Sequence, residues 1–106
     1  MINQSALTES VYYILLSLDE PLHGYGIIQN IKILSNNRIN MAAGTLYGAL
    51  NNLIKKDWIE LVSEDGPKGK KEYVLTHLGR EVIEEEILRL KELSLNGEKF
   101  LRGDGR

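Results

Sequence analysis

The sequence predicts a mainly helical domain that contains one small β-hairpin. Three segments place apolar residues three and four positions apart, the spacing of helices that pack against a core. The period then changes to that of strands over 58–62 and 72–75, on either side of a glycine-rich basic loop over 64–70. A long amphipathic segment follows. Three helices, a hairpin and a last helix make up a winged helix-turn-helix with an added C-terminal helix.

Caps and breakers delimit the first three helices. Thr8 is a suitable N-cap for the helix that contains 11–18, and Pro21 disfavours its continuation. The second helix is predicted over 24–34 and the third over about 43–56. The residues expected to face the core from these two helices are Ile27, Ile28, Ile31, Leu34, Leu46, Leu50, Leu53 and Ile54.

The last helix is predicted from His77 to about Asn96, with Thr76 as its cap and Gly97 as its stop. At 1.5 Å per residue it spans about 30 Å. The chain therefore divides into a winged-helix domain over 1–76, a C-terminal helix over 77–98 and a tail over 99–106 that we expect to be disordered. The acidic residues over 81–86 are expected to lie on a solvated face, with Glu85 paired to Arg89.

Composition argues against several classes of protein. The 106 residues include no cysteine, which removes disulfides, thiolate metal sites and thiol nucleophiles. No apolar run approaches 18 residues and no secretion signal is visible, so we expect a cytoplasmic protein without a membrane span. His23 and His77 do not stand at metal-ligand spacing, and no nucleophile triad or phosphate loop is present. We therefore expect no metal, no cofactor and no enzymatic activity.

The outer face of the third helix is the candidate surface for DNA. In a winged helix this helix enters the major groove and the hairpin contacts the flanking backbone. Asparagine amides can read base edges, a glycine permits close approach, and lysines can contact phosphates. The candidate DNA-binding residues are Thr45, Tyr47, Gly48, Asn51, Asn52, Lys55, Lys68, Lys70 and Lys71. An ordinary solvated helix and turn would have the same residue types.

The net charge of −2 leaves a second class of function open. A winged-helix module that binds protein rather than DNA would need no basic surface. An enzyme has the least support.

Surplus apolar residues predict a homodimer. Residues of the first helix that lie off its main stripe, and one face of the last helix, would bury each other across a two-fold axis. The predicted interface residues are Tyr12, Tyr13, Leu16, Ile83, Ile87, Leu90 and Leu93. Two third helices would then lie about 34 Å apart on double-stranded DNA, so the operator should be an inverted repeat.

Four motifs in order resemble the PadR family of bacterial transcriptional regulators. They are PLHGYGI at 21–27, GTLYGAL at 44–50, the start of the first strand at 58–60, and KKEYVLTHLG at 70–79. The resemblance covers roughly 7–93, and the short last helix resembles the compact subgroup of the family. It implies a winged-helix DNA-binding domain, dimerisation through the last helix, and repression that a small molecule relieves. An aromatic or amphipathic effector would enter a cleft between the helices of the dimer, which Tyr12, Tyr13 and Ile87 are expected to line.

Individual positions follow from the same resemblance. Tyr47 corresponds to the tyrosine of the family's recognition helix, and Lys70 and Lys71 to the basic end of the wing. Tyr25 and Tyr73 are expected to pack in the core. Trp58 stands where the family usually has glycine, so the turn after the third helix should differ. The last helix also lacks the tryptophan that some compact members use to stack flat aromatic drugs.

Overall fold

A computed structural model describes residues 6–63 and 70–103 of the chain. In order, its elements are α1 (Glu9–Leu16), β1 (Leu22–His23), α2 (Gly24–Leu34), α3 (Ala43–Lys55), β2 (Ile59–Ser63), β3 (Glu72–Leu75) and α4 (His77–Arg102). This confirms the predicted winged helix with a further helix at its end. The predicted loop over 64–70 lies outside the described residues except for Lys70.

The core lies where the first three helices meet the sheet and the start of α4. Its buried apolar residues are Ile14, Leu15, Leu18, Ile27, Ile31, Leu46, Leu50, Leu53, Ile59, Tyr73 and Val82. Two residues predicted to face inward do not: Leu34 is 40% exposed and Ile54 is 37% exposed. Both residues lie in the last turn of their helices, where the chain leaves the core. Helical spacing alone therefore wrongly predicts that their side chains are buried.

The sheet has three antiparallel strands, one more than the predicted hairpin. β3 lies in the middle and pairs with β2, with Leu61 opposite Tyr73, and with the two-residue β1, where Leu22 lies opposite Tyr73. The register shifts by one residue between Leu61 and Ser63. The backbone N–H of Leu75 donates to the carbonyl of Leu18 at 2.8 Å, which fastens the sheet to the chain just after α1.

In the turn that follows α3, the residue with an unusual backbone conformation is Asp57. The N–H of Trp58 donates to the carbonyl of Leu53 at 3.1 Å and that of Asp57 to Ile54 at 2.9 Å, the bonding pattern of a Schellman cap. Asp57 has a φ of 62°, the left-handed conformation that favours glycine. The expectation that Trp58 occupies the glycine position of this turn is therefore wrong by one residue, because the cap requires the left-handed backbone at Asp57.

The last helix is longer than predicted. Thr76 caps it as expected, since its hydroxyl accepts from the N–H of Gly79 at 3.0 Å. The helix continues through Gly97 and ends at Gly103, whose φ is 80°. An interior glycine costs a helix only about 1 kcal/mol, which does not force an end. The predicted stop at Gly97 and the predicted disorder over 99–102 are therefore wrong, and 104–106 lie outside the described residues.

Within 6–63 and 70–103, no helix combines the length and the apolar character that crossing a membrane requires.

Candidate nucleic-acid interface

Three leucines fix which side of α3 remains open. Leu46, Leu50 and Leu53 are buried against the core, so the opposite side faces solvent. The predicted DNA-binding residues on that side are all exposed: Thr45, Tyr47, Gly48, Asn51, Asn52 and Lys55. The sequence thus identified one continuous exposed face of α3.

Tyr47 crosses from α3 to the first residue of α2. A Cβ built on Gly24 would lie 2.5 Å from the Tyr47 hydroxyl oxygen and 2.9 Å from the ring carbon that carries it. Gly24 is buried, whereas Tyr47 remains 42% exposed. The hydroxyl end of the Tyr47 ring therefore packs in a notch beside Gly24, which a Cβ at position 24 would fill. The rest of the ring contributes to the exposed face of α3.

Gly48 leaves the middle of this face without a protrusion. A Cβ built there would meet no heavy atom within 4 Å among the described residues. Packing within the chain therefore gives no reason for a glycine at this position, which costs the helix about 1 kcal/mol. Close approach of a partner is a reason consistent with its exposure.

The charge around this face differs from that of the whole protein. From Pro21 to Lys56 the sequence contains no acidic residue and four basic ones, Lys32, Arg38, Lys55 and Lys56, although the net charge is −2. The acidic residues are concentrated elsewhere, including five in α4 up to Glu92. Arg38 forms an ion pair with Glu9 of α1, so the remaining positive charge of this region comes from Lys32, Lys55 and Lys56. The overall charge conceals this local excess, which a residue-by-residue count along the chain reveals.

The hairpin lies next to α3 in the fold. β2 begins four residues after α3 ends and packs against it. Lys70 and Lys71 are both exposed, immediately before β3. Lys68, the third predicted lysine of the wing, lies outside the described residues.

The two tyrosines expected in the core behave differently. Tyr73 on β3 is 3% exposed, which confirms the prediction. Tyr25 is 66% exposed, so the prediction for it is wrong. The residues of α2 that face the core are Gly24, Ile27 and Ile31, and the second position of the helix points away from them.

The predicted dimer residues lie on α1 and α4, two helices that pack against each other within one chain. Tyr13 and Ile83 are half-buried against the core of their own chain, and Tyr12 and Ile87 are also half-buried. The exposed members of the predicted set are Leu16, Leu90 and Leu93. Further exposed apolar residues extend along α4, namely Leu88, Leu95, Phe100 and Leu101.

A cavity of about 300 Å³ lies between α1 and α4. Tyr12, Tyr13 and Leu90 supply much of its apolar lining, together with the charged pair Glu86 and Arg89. The two tyrosine ring centroids are 6.0 Å apart, with the ring planes tilted by 41°. Ile87, which we expected in an effector cleft, is not part of the lining of this cavity.

Glu86 is a buried carboxylate that sequence reasoning placed on a solvated face. It is 2% exposed and accepts bonds from Arg89 Nε at 2.8 Å and Nη2 at 2.6 Å, and from the backbone N–H of Leu7 at 3.3 Å. The hydrogen bonds from Arg89 lower the pKa of Glu86, against the opposing effect of burial. Arg89 therefore pairs with Glu86 and not with Glu85 as predicted. Position 86 follows Val82 by four residues on the inward stripe, which is the signal that was missed.

Comparison with known proteins gives a family and a set of similar folds. Residues 11–85 match the model of the family described as the transcriptional regulator PadR-like family. A 37.1 kDa transposon protein from Streptomyces fradiae is 38% identical over 76 residues, which are 72% of this chain and 21% of that protein. The chain thus spans about a fifth of that relative. A protein from Lysinibacillus sphaericus is 31% identical over 90 residues, 83% of each chain.

Solved structures agree with this match. A PadR family transcriptional regulator from Eggerthella lenta is 27% identical, with a TM-score of 0.71 over 86% of this chain and 80% of the other. A PadR-like transcription factor from Bacteroides fragilis is 29% identical, with a TM-score of 0.67 over 86% and 87% of the two chains.

Proposed function

Because the chain belongs to the PadR-like family of transcriptional regulators, we propose that it recognises a specific operator through α3 and represses transcription. The family consists of DNA-binding proteins and not of enzymes, in agreement with the lack of a catalytic constellation in the sequence. The observation that carries the proposal is the exposed face of α3, which combines amides, a glycine and a lysine in a region without acidic residues.

Each residue of that face has a chemical role in this proposal. Asn51 and Asn52 present amides that donate to and accept from base edges in the major groove. Thr45, in the first turn of α3, contacts a phosphate together with free backbone N–H groups. Tyr47 and Gly48 determine how closely the helix approaches the bases. Lys55 and the wing residues Lys68, Lys70 and Lys71 contact phosphates on either side.

The proposed assembly is a homodimer. Leu16, Leu90 and Leu93 are exposed in a single chain, and α4 carries more exposed apolar residues toward its end. Burial of apolar surface stabilises association by about 25 cal/mol per Å² before the costs of association. A two-fold axis through this surface would place two α3 helices on successive major grooves, so the operator is an inverted repeat with half-sites about 34 Å apart.

Replacement of Leu93 by glutamate tests the assembly. The Leu93→Glu variant should sediment as a monomer at micromolar concentration, whereas the wild type sediments as a dimer. Leu88 is exposed too but lies some 140° away around the helix, so Leu88→Glu is a matched control that should remain dimeric. A monomeric wild type, or equal loss of dimer in both variants, would exclude this interface.

Relief by a small molecule is the remaining part of the proposal. The cavity between α1 and α4 has a volume and a tyrosine-rich lining that suit an aromatic or amphipathic compound. A structure of BpsR from Bordetella bronchiseptica, 17% identical with a TM-score of 0.67, concerns regulation of its DNA binding by 6-hydroxynicotinic acid. For our protein, a ligand that alters how α1 packs on α4 would weaken operator binding through the spacing of the two α3 helices.

Two sets of variants test operator binding, one that removes a contact to a base and one that removes contacts to phosphates. Asn51→Ala should weaken binding to the protein's own promoter region more than binding to random DNA. Lys70→Ala with Lys71→Ala should weaken both and reduce the slope of log K against log salt by up to about 1.8 per protomer, at 0.9 for each phosphate that is no longer neutralised. Lys91→Ala with Lys99→Ala, on α4, is the matched control for charge. The proposal fails if wild-type binding does not respond to salt and Asn51→Ala changes nothing.

A winged-helix module that binds a protein is the alternative function, and the net charge of −2 is the observation in its favour. It predicts no retardation of promoter DNA even at low salt, because non-specific DNA binding is electrostatic. The absence of acidic residues from Pro21 to Lys56 favours DNA.

A further inference from the structure

Arg38 lies in the turn that joins α2 to α3, within a stretch of sequence that has no acidic residue. Because no carboxylate side chain occurs from Pro21 to Lys56, a carboxylate partner for Arg38 must come from another element. That partner is Glu9, in the first turn of α1. Arg38 Nη1 donates to Glu9 Oε1 at 3.1 Å, and Nη2 donates to Oε2. The two parallel bonds fix the orientation of the guanidinium group as well as its position.

The turn that contains Arg38 has an unusual backbone. Asn36 and Asn37 have φ angles of 54° and 67°, in the left-handed region that asparagine tolerates better than most residues. Two such residues in succession persist where neighbouring contacts hold them. The hydroxyl of Ser35, which is 1% exposed, accepts from the N–H of Ile39 at 3.0 Å. The turn is therefore held by Ser35 on its buried side and by Arg38 on its exposed side.

α1 is also linked to α2, near the other end of α1. The Ser17 hydroxyl donates to the carbonyl of Tyr13 at 2.7 Å and accepts from the side-chain amide of Asn30 at 2.9 Å. α1 is thus bonded to α2 near its C-terminal end and to the α2–α3 turn near its N-terminal end. The pair of Glu9 and Arg38 is the link that lies on the side of α3.

We infer that Arg38 is a positioning residue for DNA recognition, because its two bonds to Glu9 set the direction of the turn that leads into α3. α3 begins at Ala43, five residues after Arg38, so a change in this turn alters where the exposed face of α3 points. This inference rests on the proposed function. An ion pair between exposed side chains contributes little by itself, so its loss should leave the protein folded and change DNA affinity by a few-fold.

Removal of the carboxylate distinguishes positioning from a direct contact between Arg38 and DNA. Glu9→Gln removes a negative charge and frees Arg38 for a phosphate, and both changes would strengthen DNA binding by electrostatics alone. If Arg38 positions α3, Glu9→Gln should instead weaken binding to the promoter region about threefold. Glu84→Gln makes the same chemical change at an exposed position of α4 and should not weaken binding.

Replacement of Arg38 by lysine is the second test. Lysine keeps the positive charge but cannot form two parallel bonds to one carboxylate. A positioning role predicts that Arg38→Lys loses about as much affinity as Arg38→Met, whereas a phosphate contact would tolerate lysine. Fluorescence anisotropy at a fixed salt concentration measures the affinities, and urea denaturation verifies that each variant is folded.

A measurement without DNA separates this inference from the proposed function. In Glu9→Gln, the Ile39 amide inside the turn should exchange with deuterium about threefold faster, as followed by NMR, and in Glu84→Gln it should exchange at the wild-type rate. If the wild type does not bind its promoter, the proposed function fails, and the exchange rate still decides whether Glu9 holds the turn.

Three results would each overturn the inference. The first is an Ile39 exchange rate that Glu9→Gln leaves unchanged. The second is a Glu9→Gln variant that binds at least as tightly as the wild type to promoter DNA that the wild type recognises. The third is an Arg38→Lys variant with wild-type affinity for that DNA.

Discussion

The hydroxyl of Tyr47 on α3 occupies the space beside Gly24 that a Cβ at the start of α2 would need. The two helices of the helix-turn-helix are therefore joined by a contact between a side chain and a bare backbone. Because Tyr47 also contributes to the exposed face of α3, the residue at position 24 determines where this ring lies.

Gly24→Ala should weaken operator binding while the protein stays folded. The end of a tyrosine ring can swing aside, so we expect a loss of no more than about 1 kcal/mol in the free energy of unfolding. The displaced ring should reduce operator affinity about fivefold, measured by fluorescence anisotropy. Adding Gly24→Ala to Tyr47→Ala should have no further effect on affinity, and an additive loss would refute the coupling.

Gly79→Ala should destabilise the fold strongly. A Cβ at this position would lie 2.1 Å from the carbonyl oxygen of Trp58, a backbone atom that cannot move aside without displacing the turn after α3. We expect a loss of about 3 kcal/mol in urea denaturation. Gly97→Ala makes the same chemical change in the same helix, where the new Cβ would meet no described heavy atom within 4 Å, and should stabilise by about 0.5–1 kcal/mol.

Glu86 should make stability depend on acid. Arg89 holds the pKa of the folded Glu86 carboxyl below the value of about 4.3 that a glutamate has in an unfolded chain. The stabilisation that the ion pair gives the folded state is therefore fully present above about pH 4.3, and it is lost as the pH falls through the pKa of the folded protein. Glu86→Gln should therefore cost about 2 kcal/mol at pH 7 and progressively less below pH 4, in denaturation at a series of pH values. The exposed Glu84 supplies the control, and an equal response in Glu84→Gln would contradict the assignment.

Asp57→Gly should stabilise the protein by about 0.5–1 kcal/mol, because glycine adopts a φ of 62° without steric cost. Asp57→Ala should destabilise by about 1 kcal/mol, since alanine lacks the tolerance of aspartate for this conformation. Both variants keep the bond of 2.6 Å that the Thr76 hydroxyl donates to the main-chain carbonyl of residue 57. Thermal unfolding measured side by side gives the sign of each effect.

The helices could be predicted because their signals are local. α2 begins and ends at the predicted residues, and the caps at Thr8 and Thr76 form the predicted hydrogen bonds. β1 could not be predicted, because two residues after a proline show no periodicity and acquire their pairing from the distant β3. The end of α4 could not be predicted, because Gly97 and Gly103 look alike in sequence while only Gly103 has the left-handed backbone that ends the helix.

The exposed face of α3 could be predicted for a similar reason, since three leucines at helical spacing determine its opposite side. Contacts between different elements could not be predicted from the sequence. The notch at Gly24 and the burial of Glu86 beside the N-terminal segment each depend on how separate elements meet. Tyr25 illustrates the limit, because its aromatic character favoured the core and its position on the helix decided otherwise.

Thr76 joins α4 to the turn that leaves α3, through its bonds to Gly79 and to the carbonyl of Asp57. From this joint, α4 runs some 36 Å to Phe100, at 1.5 Å per residue. A tilt of about 10° at Thr76 would therefore carry Phe100 through about 6 Å, roughly one helical pitch. α4 therefore acts as a lever arm: a small change of angle beside the end of α3 moves the far end of α4 by a distance about as long as a side chain.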